Sequence, residues 1–133
     1  MPRDEMTDDA FLNAFEAATL PLADFNHRAH VRAGYLYLRR LGLGAAIDRF
    51  ATALKAFAAA NGKAGLYHET VTVAFLALIN ERFGTCADAG WEAFATANPD
   101  LFAKDCLQRF YTAAEPESPA ARQVFLLPRR LAG

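Results

Sequence analysis

The chain has 133 residues, of which 53% are hydrophobic and 22% are charged, and its formal net charge is −1. This length fits one domain and suffices to bury about two-thirds of the surface that the unfolded chain exposes. The 14 basic residues nearly balance the 15 acidic ones. Because this balance leaves no basic footprint for a phosphate backbone or an anionic lipid surface, we expect neither nucleic acid nor a membrane as a partner.

The first nine residues are mostly charged or polar and contain no apolar segment typical of a secretory signal. The longest apolar run, residues 71–79, is too short to span a bilayer. Cys86 and Cys106 lie 20 residues apart and form no Cys-x-x-Cys pair. These features predict a cytoplasmic protein whose two cysteines are free thiols.

Helical periodicity dominates the first part of the chain, and strand signals are nearly absent. Thr7, followed by Asp8 and Asp9, is typical of a helix N-cap, and this helix is predicted to run to about Thr19 before Pro21 interrupts it. The next two helices are predicted over residues 26–41, ended by Gly42 as a left-handed cap, and over residues 45–60, closed by Asn61 and Gly62.

A fourth helix is predicted over residues 70–83. It is apolar on nearly every side, which is typical of a helix buried within a bundle. Three further helices are predicted: one carrying Trp91, one over residues 101–111, and a last one that Ser118 caps and that ends at Phe125. The fold class is therefore predicted to be all-α, a compact single-domain bundle of about five to seven helices over residues 1–133, with loose termini at 1–6 and 129–133.

All three histidines lie in two short polar-aromatic clusters, residues 24–30 and residues 66–70. His27 and His30 are three residues apart, so they are neighbours on one side of the second helix. A helical wheel places them among its apolar residues and places Arg28, Arg32 and Arg39 on the opposite side. These three arginines and Arg40 are predicted to form the solvated face of the helix. His68 stands beside Glu69 at the start of the fourth helix. Because buried imidazoles need polar partners, these clusters predict a polar pocket between the second helix and the start of the fourth.

Three interpretations of this pocket stay open. In the first, His27, His30 and His68 bind a divalent metal such as zinc, with Glu69 or Asp24 as a fourth group, because catalytic zinc sites use three protein ligands and one open position. The His-x-x-His spacing differs from the His-Glu-x-x-His pattern of zinc proteases, which weakens this interpretation.

In the second interpretation no metal is bound. One imidazole that titrates near neutral pH acts as a general base, oriented by Glu69 or Asp24, with Tyr67 or Tyr37 as a hydrogen-bond donor. In the third, the histidines are structural: His27 caps its helix, while the other two bond to backbone and carboxylate groups in the core.

The chain resembles a family of small, uncharacterised bacterial helical proteins at three segments. These are residues 25–31 with the pair Tyr37-Leu38, residues 67–70, and residues 118–122. The resemblance implies that Ser118 and Arg122 lie near the site. The family pattern has a tryptophan a few positions after residue 70, where this chain has Phe75.

The sequence thus predicts a small-molecule enzyme or binding protein. The alternative is a helical interaction module, such as a homodimer, whose histidines are structural. The candidate catalytic residues are His27, His30, His68 and Glu69, and the candidate substrate-binding residues are Asp24, Tyr37, Tyr67, Thr70 and Arg122.

Overall fold

A computed structural model describes residues 6–83, 90–103, 106–109 and 119–125. These residues contain six α-helices and no strand, which confirms the all-α fold class. The helices are α1 (Asp8–Glu16), α2 (His27–Leu41), α3 (Leu43–Ala60), α4 (Glu69–Phe83), α5 (Trp91–Ala97) and α6 (Pro119–Gln123). Within this described part, no helix has the length and apolar character needed to cross a membrane.

The chain divides into two compact units, Met1–Tyr67 and His68–Gly133, which we call the first unit and the second unit. The first unit contains α1, α2 and α3, and the second contains α4, α5 and α6. The single domain over residues 1–133 stays a prediction. The predicted loose termini lie outside the described residues, except for Met6.

Helix α1 begins as the sequence predicts and ends earlier. The backbone N–H of Ala10 donates to Thr7 Oγ1 at 3.1 Å, so Thr7 is the N-cap. The helix ends at Glu16 instead of near Thr19. The physical reason is Ala18, whose φ of 58° is left-handed and cannot continue a right-handed helix.

Helices α2 and α3 are joined by a single residue. Asn26 Oδ1 accepts from the N–H of Ala29 at 3.0 Å and caps α2. Gly42 ends α2 with a positive φ of 80°, as predicted, but its ψ of 169° turns the chain straight into α3. Helix α3 therefore begins at Leu43, two residues before the predicted start, and it ends at Ala60 as predicted.

Aromatic rings form the core of the first unit, where α3 packs against both α1 and α2. The Phe15 ring stacks on Phe25 with a centroid separation of 4.6 Å, and it lies 5.9 Å from Phe50 and 5.5 Å from Phe57. Together with His30, these four rings form what we call the aromatic cluster. Each such ring pair adds about 0.5–1.5 kcal/mol to the free energy gained by burying apolar area.

Arg32 corrects one sequence prediction, because it does not belong to the solvated face of α2. Only 2% of the residue is exposed. Its Nη2 donates to Asp8 Oδ1 and to the carbonyl of Met6, both at 2.9 Å, and its guanidinium lies 4.6 Å from the centre of the Phe11 ring. Arg32 is thus buried in a contact with the beginning of α1. A helical wheel of α2 cannot show this tertiary contact.

In the second unit, α4 packs against α6, and a buried hydroxyl of α4 bonds to the residue that follows α6. Thr70 Oγ1 donates to the carbonyl of Val124 at 2.9 Å. Helix α4 buries Leu76, Leu78 and Ile79, but Val71, Val73 and Phe75 are half-buried, so the helix is not enclosed on every side. The buried polar residues of α4 are Thr70 and Thr72.

The predicted helix over residues 101–111 is wrong at its beginning. Pro99–Phe102 and Cys106–Arg109 are short 3₁₀ turns, and Ala103 between them is extended, with a ψ of 136°. An extended residue interrupts the i to i−4 hydrogen bonds that an α-helix needs. Residues 104–105 and 110–118, including Ser118, lie outside the described residues, and α6 ends two residues before Phe125.

Cys106 is a buried free thiol, as predicted, whereas Cys86 lies outside the described residues.

Replacing Arg32 tests its role in the first unit. We predict that Arg32→Ala lowers the free energy of unfolding by about 2–4 kcal/mol, because it removes a buried charge-assisted hydrogen bond and the packing on Phe11. Arg39→Ala, at an exposed arginine of the same helix, is the control and changes this free energy by roughly 0.5 kcal/mol or less. Urea unfolding followed by circular dichroism measures both; equal effects of the two substitutions would contradict the prediction.

Candidate functional site

The histidines predicted to form one pocket fall into different units. His27 and His30 lie in the first turn of α2, in the first unit, while His68 and Glu69 begin the second unit at the start of α4. Among the described residues, no group of three or more His, Cys, Asp or Glu side chains could hold a metal ion. The metal site and the pocket between helix 2 and helix 4 stay predictions.

His30 is enclosed by rings of the aromatic cluster. Its imidazole lies 5.2 Å from the centre of Phe25 and 5.2 Å, edge-on, from Phe50. The pKa of His30 is lowered to about 4, mainly by burial and to a smaller extent by the nearby charge of His27. The His30 imidazole is therefore neutral at neutral pH, which does not favour it as the general base of the second interpretation; that interpretation stays a prediction.

His68 is the residue that caps α4. Its Nδ1 accepts from the backbone N–H of Val71 at 3.2 Å, and its carbonyl accepts from Thr72 Oγ1 at 2.7 Å. The structural interpretation assigned a capping role to His27, but Asn26 performs it for α2. A ring nitrogen that accepts from the backbone satisfies one of the orphan N–H groups at a helix start.

The predicted substrate-binding residues belong to both units. In the first unit, Asp24 lies in a 3₁₀ turn (Leu22–Asp24), and the Tyr67 ring lies 4.9 Å from Lys55 Nζ. In the second unit, Arg122 is an exposed residue of α6, and Thr70 is bonded to the backbone. Tyr37, in the first unit, lines a cavity.

That cavity, which we call the Tyr37 cleft, has a volume of about 250 Å³. It lies in the first unit, and all three helices of this unit contribute to it. Its lining residues are Leu12, Asn13 and Glu16 from α1, Tyr37, Arg40 and Leu41 from α2, and Arg49 from α3.

Glu16 is the centre of the polar contacts in the cleft. Its Oε2 accepts from Tyr37 Oη at 2.6 Å and from Arg49 Nη2 at 3.0 Å. Arg40 forms a separate ion pair at 2.8 Å with Asp9, which does not line the cleft. One carboxylate thus joins the end of α1 to both other helices.

These contacts move two pKa values away from neutrality. The hydrogen bond from Tyr37 lowers the pKa of Glu16 most, burial opposes this, and the hydrogen bond and charge of Arg49 lower it further. Burial, followed by the hydrogen bond to Glu16 and its charge, raises the pKa of Tyr37. At neutral pH the carboxylate is therefore charged and the phenol keeps its proton.

Sequence reasoning selected Tyr37 but missed the other residues of the cleft. Glu16 follows Leu12 by four positions and Asn13 by three, so these three residues share one side of α1. That pattern, an apolar residue beside an amide and a carboxylate, is the sequence signal that could have predicted the α1 side of the cleft. No sequence signal linked them to Arg49, which lies 33 residues further along the chain.

Comparison with protein-family models, with curated proteins and with solved structures finds no match. The family resemblance carried by the segments around His27 and His68 stays a prediction.

Replacing Tyr37 tests the coupling inside the cleft. We predict that Tyr37→Phe raises the pKa of Glu16, because the donor that lowers it most is removed. A lowered carboxyl pKa stabilises the fold above the unfolded pKa of about 4.3 and loses this contribution as the pH falls through the folded value, so the variant loses less stability in acid. Carbon-13 NMR titration of the Glu16 carboxyl measures the shift. Tyr35→Phe is the control on the same helix, and an unchanged Glu16 pKa in Tyr37→Phe would contradict the prediction.

His30 makes the stability of the first unit depend on pH. Its folded pKa of about 4 lies below the usual value of 6.5, so the unfolded chain binds more protons between these values and stability falls as the pH falls. We predict a loss of roughly 1–2 kcal/mol from this residue between pH 7 and pH 5. Urea unfolding of His30→Leu at both pH values should lack this loss. Phe57→Leu, which removes a ring of the cluster but no titrating group, should keep it, and equal pH dependence in wild type and His30→Leu would refute the prediction.

Proposed function

We propose that this protein binds a small polar molecule in the Tyr37 cleft. The observation that carries the proposal is the cleft itself, with its volume of about 250 Å³ and its leucine, tyrosine and charged walls. Small-molecule sites are typically concave, with apolar walls and a few convergent polar groups. Since pockets for drug-sized ligands measure roughly 300–1,000 Å³, the volume here suits a smaller metabolite.

The protonation states in the cleft favour binding over acid–base catalysis. A general acid or base works best when its pKa lies near the working pH. Here the pKa of Glu16 is lowered and that of Tyr37 is raised, so both groups move away from neutrality. A charged carboxylate and a protonated phenol are fixed hydrogen-bonding groups, which is what recognition of a ligand requires.

A second candidate is the function predicted from the histidines, an enzyme or binding protein that uses His27, His30, His68 and Glu69, with or without a divalent metal such as zinc. The ring packing of His30 and the helix cap formed by His68 favour a structural role for these two residues. We therefore prefer the Tyr37 cleft as the binding site. We further propose a cytoplasmic location, which the free thiol of Cys106 supports.

Filling the cleft tests the proposal. The probe is a panel of amino acids, short carboxylates, amines, alcohols, sugars and nucleobases, screened by backbone amide NMR shifts. We expect at least one compound to shift amides of the cleft residues on α1 and α2, such as Leu12 and Tyr37. Leu41→Trp should abolish these shifts, because Leu41 lines the cleft and the larger indole would fill it. Since Leu41 is 41% exposed, this substitution should leave the core undisturbed.

Leu43→Trp is the matched control. This leucine is 38% exposed, lies two residues further on and does not line the cleft, so binding should persist. The proposal fails if no compound shifts the cleft amides, or if Leu41→Trp binds as well as the wild type.

A further inference from the structure

Hydrogen-bond donors exceed acceptors among the side chains of the Tyr37 cleft. Glu16 Oε2 already accepts from both Tyr37 and Arg49. A guanidinium has five N–H donors, and Arg40 and Arg49 each use one nitrogen in their ion pairs within the described part of the chain. A ligand that enters the cleft therefore meets mostly donors.

The charged side chains of the lining also favour a ligand that accepts hydrogen bonds. Two guanidiniums and one carboxylate line the cleft, while the partner of Arg40, Asp9, lies outside this set. The charges of both arginines reach the phenol of Tyr37, since each of them acts to lower its pKa against the stronger effects of burial and Glu16. Each guanidinium is thus balanced by one carboxylate, but its N–H donors outside that ion pair still favour a ligand that accepts hydrogen bonds through a carboxylate.

Two leucines give the cleft an apolar side. Leu12 on α1 is buried, and Leu41 at the end of α2 is partly exposed. Together they offer an apolar wall in a cleft of small volume. Such a wall suits a hydrocarbon chain of a few carbons and does not suit a second charged group, whose desolvation would be costly.

We infer that the Tyr37 cleft binds a small monocarboxylate with a short apolar chain. Arg40 and Arg49 bind the carboxylate, and the chain lies on Leu12 and Leu41. Planar guanidinium groups match carboxylate oxygens in geometry as well as charge. This inference rests on the proposed function, because it names the ligand class of the same cleft.

Four probes of similar size or charge test the ligand class: butyrate, n-butanol, n-butylamine and inorganic phosphate. We expect butyrate to bind at least tenfold more tightly than each of the others, measured by NMR titration of the cleft amides, and to weaken as salt is added. If butanol, butylamine or phosphate binds as tightly as butyrate, the inference is wrong and the proposed function survives. If neither these probes nor the wider panel shifts the cleft amides, the proposed function fails as well.

Charge-removing variants test the two arginines. Arg40→Gln and Arg49→Gln should each weaken butyrate binding about tenfold, the loss expected for one charged hydrogen bond. Both side chains are substantially exposed, at 44% and 57%, so the variants should fold. Arg39→Gln removes an exposed arginine of α2 that does not line the cleft and is the matched control. An equal loss in Arg39→Gln would show that only the overall charge matters and would overturn the assignment.

Discussion

The packing of Phe15 is the constraint on which the first unit depends. Its ring is fully buried and contacts rings from the turn before α2 and from α3, so the end of α1 has little freedom to shift. Glu16 is the next residue, and its carboxylate is therefore held at the wall of the Tyr37 cleft by a neighbour that does not line the cleft. Rigid support of this kind is what keeps a polar group ready for a ligand without reorganisation.

Helix α1 forms an ion pair with another helix at each of its ends, and the two arginines of these pairs differ in burial. At its beginning, Asp8 meets the buried guanidinium of Arg32, and at its end Glu16 meets the exposed guanidinium of Arg49. Asp8 is itself 48% exposed, so solvent screens both pairs, and it screens the second pair more because the Arg32 side chain is only 3% exposed. The pair with the buried arginine stabilises the packing of α1 on α2, while the pair with the exposed arginine mainly sets the charge and hydrogen bonding of the cleft.

Local features of the fold were predictable, whereas features that join distant segments were not. The cap at Thr7 and the positive φ of Gly42 depend on neighbouring residues alone, and both were predicted from the sequence. Arg32 was predicted to be solvated because its partner lies 24 residues earlier in the chain, and the histidines were predicted to form a site from residue type and local spacing alone. The contact of Glu16 with Arg49 has no local signature, so the cleft emerged from the packing of three helices.

Gly42 sets the corner between α2 and α3 beside the Tyr37 cleft, and this corner does not depend on the side chains that line the cleft. No atom would lie within 4 Å of a Cβ added there, so space does not demand a glycine, but φ of 80° with ψ of 169° is a conformation that essentially only glycine adopts. The corner between α2 and α3 is thus set by backbone torsion, directly beside the wall residue at position 41. Substitutions of the side chains that line the cleft therefore leave this corner unchanged, so the cleft surface can vary without altering how α2 and α3 meet.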